Sequence, residues 1–136
     1  MTQVFADTSF FIALLNPRDD DHQSAIALMA ASRHVLVTSA WVLTELANHQ
    51  AKRRDRPLVL KLFQHLRRSK RCLIIPARER DFEAGWALYA NRSDKDWSLT
   101  DCISFQLMTR RRITAALSAD HHFTQAGFRA LLVELR

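Results

Sequence analysis

Short apolar runs alternate along the chain with longer segments whose apolar residues recur at helical spacing. The runs predict buried strands at residues 4–6, 34–39, 72–75 and 113–117, and a last strand at residues 131–133. Helical spacing predicts helices over residues 10–15, 19–29, 41–47, 57–66, 81–89, 99–108 and 121–126. Strands that alternate with helices in this way are typical of an α/β protein with a mostly parallel sheet and helices on both faces.

Two of these helices carry large apolar residues that we expect to contact the core. The fourth predicted helix is amphipathic, with Leu60, Phe63 and Leu66 on its apolar side and basic residues outside. In the fifth, Phe82, Trp86 and Tyr89 are the expected core contacts. With 136 residues and no repeat, low-complexity segment or linker, the chain is expected to form one domain over residues 1–136.

The net charge of the chain gives a first indication of its function. Twenty Lys and Arg residues against 14 Asp and Glu residues give a net charge of +6. Such a surface favours polyanions, of which nucleic acid is the commonest in a cell, although many soluble proteins are basic without a specific purpose. Basic runs near helix ends contain the candidate RNA-contacting residues Arg53, Arg54, Arg67, Arg68, Arg110 and Arg111. Their alternative role is to offset helix dipoles as solvated side chains.

Other features of the sequence exclude several classes of protein. Cys72 and Cys102 lie in apolar segments at a spacing that matches no zinc motif, and a reducing cytosol suits them. No segment has the roughly 20 consecutive apolar residues of a membrane helix. The first residues lack the basic and apolar regions of a signal peptide. We therefore expect a cytoplasmic protein without a membrane partner.

Four acidic residues are expected to meet at one edge of the sheet. Asp7 ends the first predicted strand, and Asp120 follows the fourth. Asp101 begins the helix after a polar loop, and Glu45 lies about two turns into the helix after the second strand. Because ligands of open parallel sheets bind at the carboxyl ends of the strands, these acids are candidates for a common site.

A divalent cation explains why carboxylates would gather in this way. Clustered carboxylates repel one another, and each would be protonated more readily than it would share a site. Mg²⁺ or Mn²⁺ removes that penalty and prefers carboxylate oxygens as ligands. A metal held by these acids can meet a phosphate and activate water, so an acidic centre on a basic protein suits phosphodiester cleavage.

Each of the four acids also has a structural alternative. Asp7 and Asp120 could cap the helices that follow them. Asp101 could form a capping box with Ser98, and Glu45 could be a solvated helix residue. Taken singly, each structural role is the more common one. The shared position of the four acids favours a site.

Residues beside these acids are assigned smaller roles. Thr8 and Ser9 could orient Asp7 or a bound water, and Asp96 could assist the metal from the polar loop. His121 and His122 have no partner at ligand spacing on one helix face, so they are expected to be surface or packing residues. Trp97 could stack on a base, but packing explains it equally well.

Together, the four acidic segments resemble the ordered motifs of PIN domains. The segments read Ala6-Asp7-Thr-Ser-Phe-Phe, Thr44-Glu45-Leu-Ala-Asn, Ser98-Leu-Thr-Asp101-Cys-Ile-Ser-Phe and Leu117-Ser-Ala-Asp120-His-His-Phe. The pattern is most similar to the VapC-type toxin ribonucleases of bacteria and archaea. It spans nearly the whole chain, and the order and spacing of four motifs make it specific, although any one motif would be weak.

The resemblance implies a three-layer α/β/α sandwich around a mostly parallel five-stranded sheet, and Mg²⁺- or Mn²⁺-dependent endonucleolytic cleavage of RNA. It implies that Asp7, Glu45 and Asp101 bind the metal, with Asp120 as a further ligand directly or through water. Ser118 stands where many relatives carry Thr, a change that keeps the hydroxyl beside the site. A homodimer and a small antitoxin protein that blocks the acidic pocket are the implied partners.

Three other functions were weighed against this one. An aspartyl phosphatase also places an Asp after its first strand, but it usually needs a second Asp two residues later, where this chain has Ser9. A receiver-type signalling domain would need paired acids near the start and a late Lys. The more serious alternative is a PIN-like module that binds RNA or a partner without turnover.

Overall fold

The computed structural model describes residues 2–31 and 33–136. Within these ranges a five-stranded sheet has the order β3-β2-β1-β4-β5, and every strand pair in it is parallel. The strands are β1 (Thr2–Ala6), β2 (His34–Ser39), β3 (Cys72–Ile75), β4 (Ala115–Leu117) and β5 (Arg129–Ala130). The predicted mostly parallel five-stranded sheet is therefore confirmed.

Helices connect the strands and cover the sheet. They are α1 (Thr8–Leu15), α2 (His22–Ala30), α3 (Ala40–His49), α4 (Arg56–Arg68), α5 (Glu79–Asn91), α6 (Leu99–Arg111), α7 (His121–Gln125) and α8 (Leu131–Glu134). Since parallel strands are buried on both faces, their sequences are continuously apolar, and Val4, Phe5 and Ala6 at the end of β1 are all buried. No helix among the described residues has both the length and the apolar character needed to cross a lipid bilayer.

The strand order places β1 at the centre of the sheet, between β2 and β4. The chain leaves β1 towards β2 and β3 on one side and returns to β4 and β5 on the other, so β1 lies at a topological switch point. Ala6 pairs with Leu117 of β4, and the amide of Asp7 donates to the carbonyl of Leu117 over 3.1 Å. The residues that follow β1 and β4 are thus neighbours at the carboxyl edge of the sheet.

The end of the chain differs from the prediction of a strand at residues 131–133. The last strand is Arg129–Ala130, and residues Leu131–Glu134 form α8. β4 also begins later than predicted, at Ala115, because the backbone of Ile113 takes part in the cap that ends α6. Arg112 adopts a left-handed conformation with φ 57°, and the amide of Ile113 donates to the carbonyl of Met108 over 2.9 Å.

Four expected core contacts are wrong. Leu60 and Phe63 of α4 are 60% and 36% exposed, and Trp86 and Tyr89 of α5 are 43% and 46% exposed. α4 buries Leu66, as expected, together with Leu62. α5 packs on α6 through the side that carries Asp81 and Gly85, so the aromatic residues on another side of α5 remain accessible.

Candidate active site

One cavity at the carboxyl edge of the sheet is lined by all four predicted acids. Its volume is about 340 Å³, and Asp7, Glu45, Asp101 and Asp120 all contribute to its wall. The remaining lining residues are Thr8, Ser9, Ile12, His49, Asp96, Ser98 and His122. The fold thus brings together side chains from four segments that are far apart in the sequence.

Asp7 is held by two hydroxyl groups. It follows β1 directly, is 3% exposed, and its Oδ2 accepts hydrogen bonds of 3.0 Å from both Ser9 Oγ and Ser118 Oγ. Ser9 and Ser118 are themselves 3.2 Å apart. Although Asp7 is the N-cap residue of α1, its side chain makes no capping hydrogen bond. Its carboxylate therefore points into the cavity rather than serving the helix.

Asp101 and Asp120 do cap helices, as the structural alternative proposed. Asp101 Oδ2 accepts from the Ser98 amide over 3.1 Å, and the Ser98 hydroxyl accepts from the Asp101 amide over 3.0 Å, which completes a capping box. Asp120 Oδ1 accepts from the amide of His122 over 2.9 Å. These bonds fix both carboxylates at the cavity wall, so capping and clustering occur together.

The expectation that His122 is a surface or packing residue is wrong, because His122 belongs to the acidic cluster. Its Nδ1 lies 3.1 Å from Asp101 Oδ2 and 3.2 Å from Asp120 Oδ1. His121 Nδ1 lies 3.6 Å from Asp120 Oδ1, so the two histidines do have an acidic partner. The sequence could have indicated the contact with Asp120, which is the N-cap residue two positions earlier, but not the contact with Asp101.

Glu45 and Asp96 also line the cavity, from α3 and from the loop before α6. Glu45 lies on α3 and is half-buried, and it makes no hydrogen bond or ion pair with the residues that the structure describes. Asp96, from the loop before α6, is exposed and also lines the cavity. Both side chains are therefore available to a ligand that enters from solvent.

Burial and mutual repulsion change the acidity of this cluster. Burial, and then the charge of Asp101, raise the pKa of Asp7 to about 7. Burial also raises the pKa of Asp101, with a further contribution from Asp120 and an opposing one from the Ser98 amide and His122. No ion pair between described residues joins a Lys or Arg to any of the four acids. The cavity is thus short of positive charge.

The oxygen atoms around the cavity are suitable ligands for a hard divalent cation. Several carboxylates converge there without a cationic side chain, and carboxylate oxygens are the ligands that Mg²⁺ and Mn²⁺ prefer. The hydroxyl oxygen of Thr8, which is 6% exposed, is buried at the cavity wall without a hydrogen-bond partner. A ligand atom of each of Asp120, His121 and His122 also lies within 4.8 Å of the others.

The six candidate RNA-contacting arginines do not lie together. Arg67 and Arg68 end α4, and Arg110 and Arg111 end α6. Each of these helices leads into the start of a strand, so all four residues lie at the edge of the sheet opposite the cavity. The guanidinium of Arg110 is also bound to the buried Asp81.

Arg53 and Arg54 follow α3, whose His49 lines the cavity, and are the pair closest to it along the chain. Trp97, considered above for base stacking, is a packing residue. It is 5% exposed, lies edge-to-face against Phe105 at 5.0 Å, and donates to Gln125 over 3.1 Å.

Comparison with known proteins places this geometry in a family. Residues 4–129 match the PIN domain family. The 23S rRNA-specific endonuclease VapC20 of Mycobacterium tuberculosis, in strains CDC 1551 / Oshkosh and H37Rv, is 30% identical over 129 residues, which cover 92% of this chain and 95% of VapC20.

Solved structures agree with the sequence match. The crystal structure of M. tuberculosis VapC20, a sarcin-ricin loop cleaving toxin, has a TM-score of 0.83 at 28% identity and covers 92% of this chain and 95% of that one. VapBC2 from Rickettsia felis, bound to a DNA fragment from its promoter, shares the fold with a TM-score of 0.68 at 14% identity, over 95% and 97% of the two chains. The chain that we describe is a member of the PIN-domain family.

Proposed function

We propose that this chain is an endoribonuclease that requires Mg²⁺ or Mn²⁺ and hydrolyses RNA phosphodiester bonds. The observation that carries the proposal is the convergence of Asp7, Glu45, Asp101 and Asp120 on one cavity, where no Lys or Arg of the described residues is paired with them. Such a cluster is electrostatically unfavourable unless a cation enters it. The net charge of +6 favours approach of a polyanion to the rest of the molecule.

In this proposal Asp7, Glu45 and Asp101 hold the metal, and Asp120 completes the site directly or through water. A bound divalent ion would stabilise charge on the phosphate and lower the pKa of a coordinated water. The Ser9 and Ser118 hydroxyls, each 3.0 Å from Asp7 Oδ2, fix the direction of that carboxylate. His122 Nδ1 lies between Asp101 and Asp120, 3.1 and 3.2 Å from their carboxylate oxygens, and links the two side chains.

The substrate that we propose is structured RNA, in the first place the sarcin-ricin loop of 23S rRNA. VapC20 is named as a 23S rRNA-specific endonuclease, and its crystal structure is described as that of a sarcin-ricin loop cleaving toxin. Identity of 30% over 92% of the chain supports this substrate for the present protein.

We also propose that the chain acts as the toxin of a toxin–antitoxin pair, as a homodimer, with a small antitoxin as its partner. Its similarity to a VapC toxin and its fold likeness to VapBC2 support this assignment. If it is correct, induced expression of the wild type should arrest growth, whereas Asp101→Asn should not. Equal growth of both strains would reject toxicity, although it would leave nuclease activity untouched.

Cleavage of a radiolabelled sarcin-ricin loop hairpin tests the nuclease itself. We expect cleavage with Mg²⁺ or Mn²⁺, none with EDTA, and a loss of at least about 100-fold in Asp7→Asn, because a metal ligand supplies several kcal/mol of charge stabilisation. Asp20→Asn, an exposed acid outside the cavity, is the matched control and should cut like the wild type.

The same assay separates turnover from binding alone. A module that only binds RNA would bind the hairpin but leave it uncut, whichever metal ion is added. Cleavage that persists in Asp7→Asn would show that the activity comes from a contaminant or from another site, and the proposed function would fail.

A further inference from the structure

A second cavity adjoins the acidic one and shares its wall. It encloses about 800 Å³ between α5 and the start of α6, and Asp96 and Ser98 line both cavities. Among the described residues these two alone line both cavities, so the loop that carries them forms the shared wall. A ligand that lies across Asp96 and Ser98 would occupy both cavities at once.

Two aromatic side chains stand at the outer wall of this second cavity. Trp86 and Tyr89 of α5 are 43% and 46% exposed, and their rings meet edge-to-face with centroids 5.4 Å apart. Trp86 in turn packs edge-to-face on Phe82 at 6.0 Å, and Phe82 stacks on Trp41 at 5.5 Å. The half-buried inner pair fixes the position of the exposed pair, which can then offer an ordered π surface to a planar ligand.

Cationic side chains lie beside the aromatic ones. The Arg92 guanidinium lies 4.9 Å from the centre of the Trp97 ring and is held by Asp94 through hydrogen bonds of 3.0 and 3.1 Å. Because Asp94 offsets the charge of Arg92, the stronger candidate for an anion is Lys95. Lys95 lines the same cavity and makes no ion pair within the described part of the chain, although its charge also helps to lower the pKa of Asp94.

We propose that this cavity binds an unpaired nucleotide of the RNA substrate, next to the phosphate that is cut in the acidic cavity. The base stacks on the face of Trp86, and a flanking phosphate contacts Lys95. Tyr89, whose ring stands at 85° to that of Trp86, borders the stacked base. Aromatic faces beside a cation are the usual means of holding single-stranded RNA, since every base has a π face. The proposal rests on the proposed function, and it adds a site that selects substrates with an extruded base.

Binding of RNA to a variant that cannot cut it tests the site. In the Asp101→Asn background, fluorescence anisotropy measures the Kd of a labelled single-stranded RNA 12-mer and of the sarcin-ricin hairpin. Trp86→Leu keeps apolar bulk but removes the π face, and we expect it to raise Kd roughly 5-fold or more. Trp86→Phe should retain most of the affinity. Phe63→Ala, an exposed aromatic on α4 far along the chain, should bind like the parent.

Three results would overturn the proposal. The first is an unchanged Kd in Trp86→Leu, whatever the Kd of Lys95→Ala. The second is an equal loss in Phe63→Ala. The third is a change of oligomeric state in Trp86→Leu by sedimentation with RNA affinity per chain unchanged, since the aromatic pair would then be covered by a second copy of the chain.

Failure of this site can be told apart from failure of the nuclease. If the wild type cuts the hairpin but Trp86→Leu neither binds nor cuts differently, the nucleotide site is wrong and the nuclease stands. If no metal supports cleavage but Kd depends on Trp86 as expected, the nucleotide site stands and the nuclease is wrong.

Discussion

The carboxyl group of Asp7 is buried beside Asp101, and its pKa is raised from 3.8 to about 7. Between these pH values the folded chain keeps a proton that the unfolded chain releases, so the free energy of unfolding falls as pH rises. Without metal, this group should lower stability by about 4 kcal/mol between pH 4 and pH 8. Urea unfolding in EDTA across this range should show the loss.

Asp7→Asn removes this ionisation and should unfold at a higher urea concentration than the wild type at pH 8. In this variant the free energy of unfolding should still fall with rising pH, but less steeply, because the pKa of Asp101 is also raised. Asp20→Asn serves again as the exposed control. If Asp7→Asn were less stable than the wild type at pH 8 and its stability depended on pH in the same way, the prediction would fail. Folding would then not disfavour the ionised form of the Asp7 carboxyl group.

The sequence predicted the acids better than it predicted their environment. Asp101 and Asp120 were recognisable both as cap residues and as candidate ligands, and the structure finds the capping bonds at the wall of a shared cavity. His122 was missed because its contact with Asp101 joins residues 21 positions apart. Helical spacing relates only residues within one helix. It therefore cannot predict a contact between the N-terminal turns of two different helices.

At the scale of elements, α5 and α6 approach each other closely at Gly85. A Cβ placed there would lie 2.2 Å from Cγ1 of Ile103 and 3.1 Å from its Cα. Gly85→Ala should therefore destabilise the protein by roughly 1–3 kcal/mol, because overpacking outweighs the gain of about 1 kcal/mol in helix propensity. The midpoint of urea unfolding measures the change.

Ala87→Gly, at an exposed position of the same helix, calibrates propensity alone and should cost about 1 kcal/mol. If Gly85→Ala were instead more stable than the wild type, propensity would dominate and the close approach of the two helices would be relieved easily.

The elements themselves were largely predictable, and their exposed sides were not. Apolar runs of three to six residues located β1 to β4, but the pattern at residues 131–133 fits a strand and a short helix equally well, and the chain forms α8 there. Trp86 and Tyr89 have the spacing of core residues on α5. Which side of a helix is buried depends on the elements that pack against it. The spacing of apolar residues within the helix does not identify those elements.

At the scale of the whole molecule, the order of strands decides where the site lies. Strand order β3-β2-β1-β4-β5 makes β1 and β4 neighbours, so Asp7 and Asp120 meet although 112 residues lie between them. The sequence predicted that acids would gather at the carboxyl edge, which holds for any parallel sheet. It could not predict the order, since crossovers on either side of β1 have the same local pattern.

The same topology divides the basic residues into two groups that should differ in RNA binding. Arg53 and Arg54 follow α3 on the side of the acidic cavity, whereas Arg67 and Arg68 end α4 at the opposite edge of the sheet. In the Asp101→Asn background, Arg53→Ala/Arg54→Ala should weaken binding of single-stranded RNA. It should also lower the slope of log K against log salt by roughly 1.4, the value for two phosphate contacts.

Arg67→Ala/Arg68→Ala removes the same charge from the protein and is the matched control. If proximity to the cavity matters, this variant should keep the parent's slope of log K against log salt. RNA bound at the cavity does not reach the opposite edge of the sheet, so no phosphate contact is lost there. If both double variants lose the same affinity, the net charge of +6 acts as a diffuse field, and the position of the arginines relative to Asp7 and Asp101 has no part in RNA binding.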